Sequence, residues 1–278
     1  MPELPEVETV ARSLNKKVRG QKILSAKTSW PRHFSRSPGG FAHFAREARG
    51  RVIKSISRRG KRIVFRLSGG KLLVAHLKMT GAFLYGVAGE GDRFTRVVFK
   101  LSRGTLYFSD IRKFGRFIFG NVAEVESSED VKNIGPDPFS ATATEFERRF
   151  RMRRGSIKNT LLNQSVISGI GNIYADEILH RTRIHPLTGT ERLSRRQLGA
   201  IRAAAIKILK RSIAAGGTSM RDFRNTEGKP GGYIALCRAY GREGESCLFR
   251  CGGKIVRLKL GARSAHFCPK CQKRSGRR

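Results

Sequence analysis

The chain has few acidic residues for its length and no long apolar run. Only 21 of its 278 residues are Asp or Glu, against 57 Lys or Arg, which gives a formal net charge of +36. This excess favours a polyanionic partner, either nucleic acid or an anionic membrane surface. No run of about 18 apolar residues is present, so we predict no membrane-spanning segment. Residues 1–6 (MPELPE) lack the basic and apolar regions of a signal peptide, so we expect none.

Cysteine is also scarce. An odd count of five cysteines without a secretion signal argues against a disulfide framework. Four of them form two close pairs separated by sixteen residues near the C-terminus. This spacing is typical of a tetrahedral zinc site on two hairpin turns, with Cys247, Cys251, Cys268 and Cys271 as ligands. The fifth, Cys237, is predicted to be a small core residue.

The first half of the chain has a β pattern behind one helix. Pro5 suits a first helical position, Gly20 suits a helix end, and the apolar stripe between them predicts a helix. Runs rich in β-branched and aromatic residues predict strands, at 62–67, 71–77, 94–101, 104–109 and 116–119. Gly69-Gly70 between the first two predicts a hairpin turn. We therefore predict an antiparallel β-sandwich domain at 2–130.

The second half is predicted to be helical. Turn-forming residues at 131–141 predict a linker, followed by a helical domain at 142–235 and a zinc finger at 236–278. Thr144 with Glu147, and Ser194 with Gln197, have the spacing of capping boxes at helix starts. The predicted fold class is therefore α+β with two domains, the second of which ends in the zinc finger.

Pro2 and Glu3 are a candidate reaction centre. If Met1 is removed, which a small second residue permits, Pro2 becomes a free amine with a pKa of about 8, well below that of lysine. An unprotonated amine attacks an aldehyde-like carbon and forms an iminium with it. Glu3 is placed to transfer protons. The alternative is that these two residues only lead into the helix.

Two further segments allow both a functional and a structural interpretation. Gly171-Asn172 begins a predicted helix, whose exposed backbone N–H groups suit a phosphate, or Asn172 is only an N-cap. Residues 110–115 (DIRKFG) place a guanidinium and an aromatic ring two residues apart. Such a pair can fill a gap in a duplex, or it marks an ordinary strand end with a core Phe.

Together these segments resemble the bacterial formamidopyrimidine-DNA glycosylases. The resemblance runs from residue 2 to about 272, and its most specific part is MPELPEVET at 1–9. The other matching segments are HLKMTG at 76–81, DIRKFG at 110–115, KNTLL at 158–162, GNIY at 171–174 and YGR at 240–242. The resemblance implies an N-terminal β-sandwich, a helix–two-turn–helix domain and a four-cysteine β-hairpin zinc finger with one structural Zn²⁺.

The resemblance also implies a function. The implied protein is a bifunctional DNA glycosylase and abasic-site lyase. It removes 8-oxoguanine and formamidopyrimidines through a Schiff base on the N-terminal proline and cleaves the strand by β,δ-elimination. The implied catalytic residues are Pro2, Glu3, Lys61 and Arg263. The implied DNA contacts are Met79, Arg93, Arg112, Phe114, Arg154, Lys158 and Asn172. A loop at about 217–226 would cover the extruded base. We expect a cytoplasmic, nucleoid-associated monomer that acts on double-stranded DNA and not at a membrane.

The chain departs from the family pattern at three places. Three residues, rather than the usual two, separate Cys247 from Cys251. Phe94 stands about where many members carry a phosphate-contacting histidine, so Arg93 or Arg96 is expected to substitute, and Arg154 stands where some members have lysine. Two alternatives remain, an endonuclease VIII-like glycosylase for oxidised pyrimidines and a non-catalytic DNA-binding homologue. A lesion panel and a nicking assay on abasic-site DNA distinguish them.

Overall fold

A computed structural model of the chain describes residues 1–86, 89, 91–219, 226 and 229–274. Its contacts divide the chain into two compact units. The first unit is Met1–Asn133 with Ala215–Gly232, and the second is Ile134–Ala214 with Tyr233–Arg278. The fold class predicted from the sequence, α+β with a β-sandwich and a helical part carrying a zinc finger, is confirmed.

The first unit begins with α1 (Leu4–Val18), as the sequence predicts. Val7, Val10, Leu14 and Val18 lie on its buried face. Two shorter helices follow in the same unit, α2 (Gly40–Ala48) and α3 (Val122–Ser127).

Two four-stranded antiparallel sheets form the sandwich. The strands are β1 (Ile23–Thr28), β2 (Ile53–Arg59), β3 (Arg62–Leu67), β4 (Lys71–His76), β5 (Gly81–Gly86), β6 (Thr95–Leu101), β7 (Thr105–Asp110) and β8 (Arg116–Asn121). One sheet has the order β1-β6-β7-β5 and the other β2-β3-β4-β8. The predicted hairpin is confirmed, because β3 pairs with β4 around Gly69 and Gly70, whose φ angles are +70° and +68°. Such angles favour glycine.

Buried phenylalanines connect the two sheets. Phe108 of β7 and Phe117 of β8 meet edge to face with their ring centroids 4.8 Å apart, and Phe83 of β5 lies 5.1 Å from Phe108. Phe44 of α2 covers Phe119 of β8 at 5.2 Å. These contacts bury the inner faces of both sheets in one core, which holds the strand ends and the loops between them in fixed positions.

Residues 215–232 belong to the first unit, although the sequence boundaries place them in the helical domain at 142–235. The backbone N–H of Thr218 donates to the Glu6 carboxylate at 2.6 Å, and the hydroxyls of Ser13 and Thr226 are 2.5 Å apart. These hydrogen bonds attach the segment to α1. The break after Asn133 falls inside the linker at 131–141, while the remaining boundaries of the four-part division stay a prediction.

The second unit contains α4 (Ala143–Arg151), α5 (Ile157–Leu162), α6 (Asn172–Thr182) and α7 (Arg195–Ala214). The predicted cap of α7 is confirmed by two reciprocal hydrogen bonds between Ser194 and Gln197, at 2.9 and 3.2 Å. The predicted cap of α4 at Thr144 is wrong. The hydroxyl of Thr142 instead accepts from the Glu145 N–H at 3.1 Å. The earlier start lets the N–H of Phe146 reach the Thr142 carbonyl at 3.0 Å.

The C-terminal part of the second unit forms an antiparallel hairpin of β9 (Val256–Leu260) and β10 (Arg263–Phe267). Cys237 is 5% exposed, which confirms its prediction as a core residue. None of the helices in the described ranges has both the length and the apolar character that a membrane crossing requires.

Acidification is expected to destabilise the first unit through two histidines. Burial lowers the pKa of His33, and burial with nearby cations lowers the pKa of His76 well below its ordinary value. Below about pH 6.5 the unfolded chain takes up protons that the folded protein does not, so the free energy of unfolding falls. The expected loss is about 1.4 kcal/mol per pH unit for each histidine that is protonated in the unfolded chain and stays neutral in the folded protein.

Urea unfolding between about pH 7.5 and pH 5.5 measures this loss. The double variant His33→Gln, His76→Gln should have a smaller pH slope than the original chain, even where its stability is lower throughout. An equal slope in both proteins would contradict the assignment.

Candidate functional site

The Pro2-Glu3 pair lies buried at the N-terminal end of α1, and Glu6 fixes its backbone. The Glu3 N–H donates to one oxygen of the Glu6 carboxylate at 2.7 Å, while the other oxygen accepts from Thr218. Glu3 is 3% exposed, and Met1 before Pro2 is 55% exposed. While Met1 is present the Pro2 nitrogen is an amide, so amine chemistry requires its removal. The sequence reasoning missed Glu6, although it lies within the most specific motif.

Lys61 lies in the turn between β2 and β3, against which α1 packs. Arg58 donates to the Glu8 carboxylate of α1 at 2.9 Å and to the Gly60 carbonyl at 3.0 Å. Burial raises the pKa of Glu8, but its hydrogen bonds and charge interactions with Arg12 and Arg58 outweigh burial and hold that pKa below its ordinary value. The Glu8–Arg58 ion pair therefore ties the lysine turn to the helix that begins beside Pro2.

Basic residues occupy one end of the sheet that contains this turn. Strand pairing places Arg59 opposite Arg62, Arg62 opposite His76, and His76 opposite Arg116. Arg59 forms an ion pair with Glu126, and the Arg62 Nη2 lies 3.8 Å from the Asp130 Oδ1. Arg59, Arg62 and Arg116 form a cation row at the strand end that suits phosphate groups, whereas the lowered pKa of His76 keeps its side chain uncharged at neutral pH. The sequence reasoning assigned no role to Arg62 or Arg116, because only the strand register brings them together.

Met79, Arg112 and Phe114 come together on two neighbouring loops. The Arg112 Nη1 lies 3.0 Å from the Met79 Sδ, and its guanidinium carbon lies 4.8 Å from the centre of the Phe114 ring. Met79 is 40% exposed and Phe114 is 49% exposed. Strand β7 does end at Asp110, but Phe114 is half exposed, so it is not the core Phe of the structural interpretation.

Asp110 ties these two loops together. One oxygen of its buried carboxylate accepts from the Thr80 hydroxyl at 2.5 Å, and the other accepts from the Gly115 N–H at 2.7 Å. The Thr80 hydroxyl in turn accepts from the Arg112 N–H at 3.0 Å. The sequence reasoning missed Thr80 and Asp110 as positioning residues, although both lie in the segments HLKMTG and DIRKFG.

Each of the two loops also contains a residue in the left-handed region. Lys78 has a φ of +53° and Lys113 a φ of +58°. For a non-glycine residue this conformation costs about 1–3 kcal/mol, so the surrounding hydrogen bonds must offset it. The hydrogen bonds from Thr80 and Gly115 to the Asp110 carboxylate connect the two loops and supply such an offset.

The candidates for phosphate contact differ in exposure. Arg93 is exposed, with its guanidinium carbon 4.7 Å from the Phe94 ring, whereas Arg96 donates to the Asp110 carbonyl at 3.2 Å. Arg154 is exposed between α4 and α5. Of the two residues proposed to replace the family's histidine, Arg93 therefore has the more available guanidinium. The predicted loop at about 217–226 lies largely outside the described residues, since 220–225 are not among them.

Lys158 occupies the interior of the second unit. Its ammonium is buried and donates to the Asp176 carboxylate at 2.6 Å and to the Ser264 carbonyl at 2.5 Å. The other Asp176 oxygen accepts from the His266 N–H at 2.9 Å. Lys158 thereby links α5, α6 and β10, the strand that begins with Arg263. Its phosphate contact stays a prediction.

Asn172 is the first residue of α6, and Gly171 is the N-cap. The Asn172 Oδ1 is buried and accepts no hydrogen bond from the residues that the structure describes. The interpretation of Asn172 as the N-cap is therefore wrong by one residue. Its contact with phosphate or lesion stays a prediction.

The four predicted metal ligands come together. The Sγ atoms of Cys247, Cys251, Cys268 and Cys271 all lie within 4.8 Å of one another, with closest pairs at 3.8 and 3.5 Å. A tetrahedral site with Zn–S bonds of about 2.3 Å requires sulfur atoms about 3.8 Å apart. The donor set and its spacing therefore fit one structural Zn²⁺. The three-residue separation of Cys247 and Cys251 does not prevent this arrangement.

The Thr80–Asp110 hydrogen bond should be measurable as stability. Thr80→Val removes the donor and leaves the buried Asp110 carboxylate short of one partner, which should lower the free energy of unfolding by about 1–3 kcal/mol. Thr80→Ser keeps the hydroxyl and should restore most of the loss. Chemical unfolding followed by circular dichroism is the measurement, and equal stability of the Val and Ser variants would contradict the role of Asp110.

Three family models match the chain, in the order of its elements. They are the formamidopyrimidine-DNA glycosylase N-terminal domain at residues 1–117, the formamidopyrimidine-DNA glycosylase H2TH domain at 134–224, and the zinc finger found in FPG and IleRS at 250–274. The third match begins after Cys247 and contains the other three cysteines.

Whole-length relatives agree with these matches. The formamidopyrimidine-DNA glycosylases of Desulfitobacterium hafniense and Streptococcus thermophilus are 39% and 38% identical to the chain, and cover 98% and 99% of it with 100% of their own length. A solved complex of Lactococcus lactis Fpg with abasic-site DNA is 35% identical, covers 98% of this chain and 100% of its own, and has a TM-score of 0.89. By sequence and fold, the chain belongs to the formamidopyrimidine-DNA glycosylase family.

Proposed function

We propose that the chain is a bifunctional DNA glycosylase and abasic-site lyase that removes oxidised purines from double-stranded DNA. The observation that carries this proposal is the Pro2-Glu3 pair, buried at the start of α1 with its backbone held by Glu6. The Lactococcus lactis structures support the substrate class, because that protein is bound to DNA containing an abasic site or Fapy-dG. We also propose a monomer located in the cytoplasm with the nucleoid.

Base removal begins at Pro2 once Met1 has been cleaved. The positive end of α1 disfavours the protonated form of the new amine. The amine attacks C1′ of the damaged nucleotide, the N–C1′ bond forms, and the bond from C1′ to the base breaks as the base leaves with a proton. Glu3 protonates the sugar ring oxygen as the ring opens. The product is an iminium between Pro2 and C1′.

Strand cleavage follows from the iminium, which acidifies the protons on C2′. Loss of one such proton expels the 3′ phosphate, and a second elimination expels the 5′ phosphate. Lys61, held in the β2–β3 turn, assists the first elimination and contacts phosphate. Arg263, at the start of β10, is assigned to the second. The Lys158 ammonium donates to the carbonyl of Ser264, the residue after Arg263, and so fixes the backbone beside it.

The remaining site residues bind and deform the duplex. A stacked base is out of reach, so it must be extruded, at a cost of a few kcal/mol. Met79 and Phe114 fill the space that the base leaves, and Arg112 faces the orphaned cytosine. Their exposure and mutual contact support this role. Arg93, Arg154 and Asn172, with the cation row on the sheet end, are proposed to contact the DNA backbone.

Borohydride trapping tests the nucleophile. Borohydride should link the protein covalently to duplex DNA that contains an abasic site or 8-oxoguanine opposite cytosine, because an iminium is reducible and a non-covalent complex is not. A protein with an N-terminal extension before Pro2 should lose trapping and strand cleavage together, while Pro2→Gly should retain part of both. Mass spectrometry that places the adduct on a lysine side chain would refute the mechanism.

Glu3→Gln separates base removal from strand cleavage. Without the carboxylic acid, excision of 8-oxoguanine should fall about 100-fold or more. Cleavage of a preformed abasic site should largely remain, because its base has already left and its sugar already interconverts with the ring-opened aldehyde. Single-turnover kinetics on the two substrates measure the ratio of the excision rate to the cleavage rate.

Lys61→Ala is the complementary variant. Its elimination steps should be slower, while borohydride should still trap the iminium. Faster excision of oxidised pyrimidines than of 8-oxoguanine would favour the endonuclease VIII-like activity.

A further inference from the structure

The loop between Cys247 and Cys251 contains three residues, Leu248, Phe249 and Arg250. Arg250 has a φ of +52°, which turns the chain back toward the second cysteine. A longer loop between two metal ligands has more conformations to lose when it becomes ordered. It therefore needs contacts that a shorter loop would not require.

Phe249 supplies such contacts by packing on α6. Its ring stacks on the His180 ring, with centroids 4.8 Å apart and an angle of 28° between the planes. The guanidinium carbons of Arg183 and Arg238 lie 4.7 and 5.1 Å from the Phe249 ring centre. Cations at this distance are attracted to an aromatic face. Arg238 also donates to the Leu248 carbonyl at 2.9 Å, which fixes the loop backbone beside the ring.

His180 also contacts a metal ligand directly. It is fully buried in α6, and its Nε2 lies 3.4 Å from the Cys247 Sγ. A zinc-bound cysteine is a thiolate and carries no proton, so the hydrogen of this contact belongs to Nε2. The Nδ1 is buried and has no hydrogen-bond partner among the described residues. Only the tautomer protonated at Nε2 therefore makes a hydrogen bond in this structure.

We propose that His180 and Phe249 form an outer shell of the zinc site that couples the metal to α6. His180 donates its Nε2–H to the Cys247 thiolate and positions it. The ring of Phe249 packs against His180 and Arg183 and thereby holds the three-residue loop in place. Hydrogen bonds to metal ligands orient them and tune their basicity. Because α6 begins at Asn172, the helix that carries a proposed DNA contact also carries the outer shell. The proposal depends on the zinc site and is independent of the proposed catalytic activity.

Zinc release from the full-length, zinc-loaded protein tests the hydrogen bond. His180→Phe keeps an aromatic ring against Phe249 but removes the donor, whereas His180→Gln supplies an N–H without the ring. With excess chelator and a colorimetric zinc indicator, we expect the Phe variant to release zinc about tenfold faster than the Gln variant, the size typical of lost outer-shell contacts. His43→Phe, in α2 of the first unit, is the matched control and should release zinc at the original rate. Equal rates for His180→Phe and His180→Gln would overturn the proposal.

Cobalt substitution gives a spectroscopic readout that packing alone would not move. A hydrogen bond to the thiolate lowers the energy of the sulfur electrons, so His180→Phe should shift the thiolate-to-cobalt charge-transfer band to longer wavelength, and His180→Gln should keep it near the original position. Phe249→Leu should speed zinc release without moving this band. If His180→Phe does not fold, the Gln variant decides, because a band displaced to longer wavelength in that variant would overturn the proposal.

Discussion

Buried carboxylates organise this unusually basic protein. With only 21 acidic residues against 57 basic ones, the chain places Glu6, Asp110, Asp176 and Glu177 at 3% exposure or less. Each accepts a hydrogen bond from a distant segment. For Asp110 the donor is the Thr80 hydroxyl, whereas Glu6, Asp176 and Glu177 accept backbone N–H groups, those of Arg238, Ala239 and Tyr240 in the case of Glu177. A hydrogen bond to a charged acceptor is stronger than a neutral one, so a few carboxylates suffice to fix the loops that carry the site.

This arrangement explains why Met79 and Phe114 are exposed while Asp110, which supports their loops, is buried. Met79 and Phe114 project from loops that contain strained backbone, and Asp110 holds both loops from below. In the second unit, Asp176 holds Lys158 and β10, and the zinc site fixes the end of the same hairpin. Binding a duplex then requires little ordering of the two loops that carry Met79 and Phe114, and their preformed geometry favours affinity.

Sequence reasoning identified elements that local interactions determine. Helix α1, the β3–β4 hairpin and the Ser194–Gln197 cap depend on residues a few positions apart, and all three are confirmed. The cap of α4 shows the limit of such reasoning. Thr142 with Glu145 and Thr144 with Glu147 have the same spacing, and the structure uses the first pair. Spacing alone does not distinguish two equivalent pairs, because the choice depends on which start suits the packing of the whole helix.

The sequence by itself determined the partner class, the zinc ligands and the N-terminal motif, since charge, cysteine spacing and the order of motifs are properties of the chain. Only the tertiary structure decided which side chains are available. The family resemblance implies that Lys158 contacts DNA, and only the structure shows that its ammonium is buried against Asp176. Likewise, the segment at 215–232 joins the first unit through Thr218 and Glu6, which are 212 positions apart. Contacts over such separations depend on how the whole chain packs, and no local pattern encodes them.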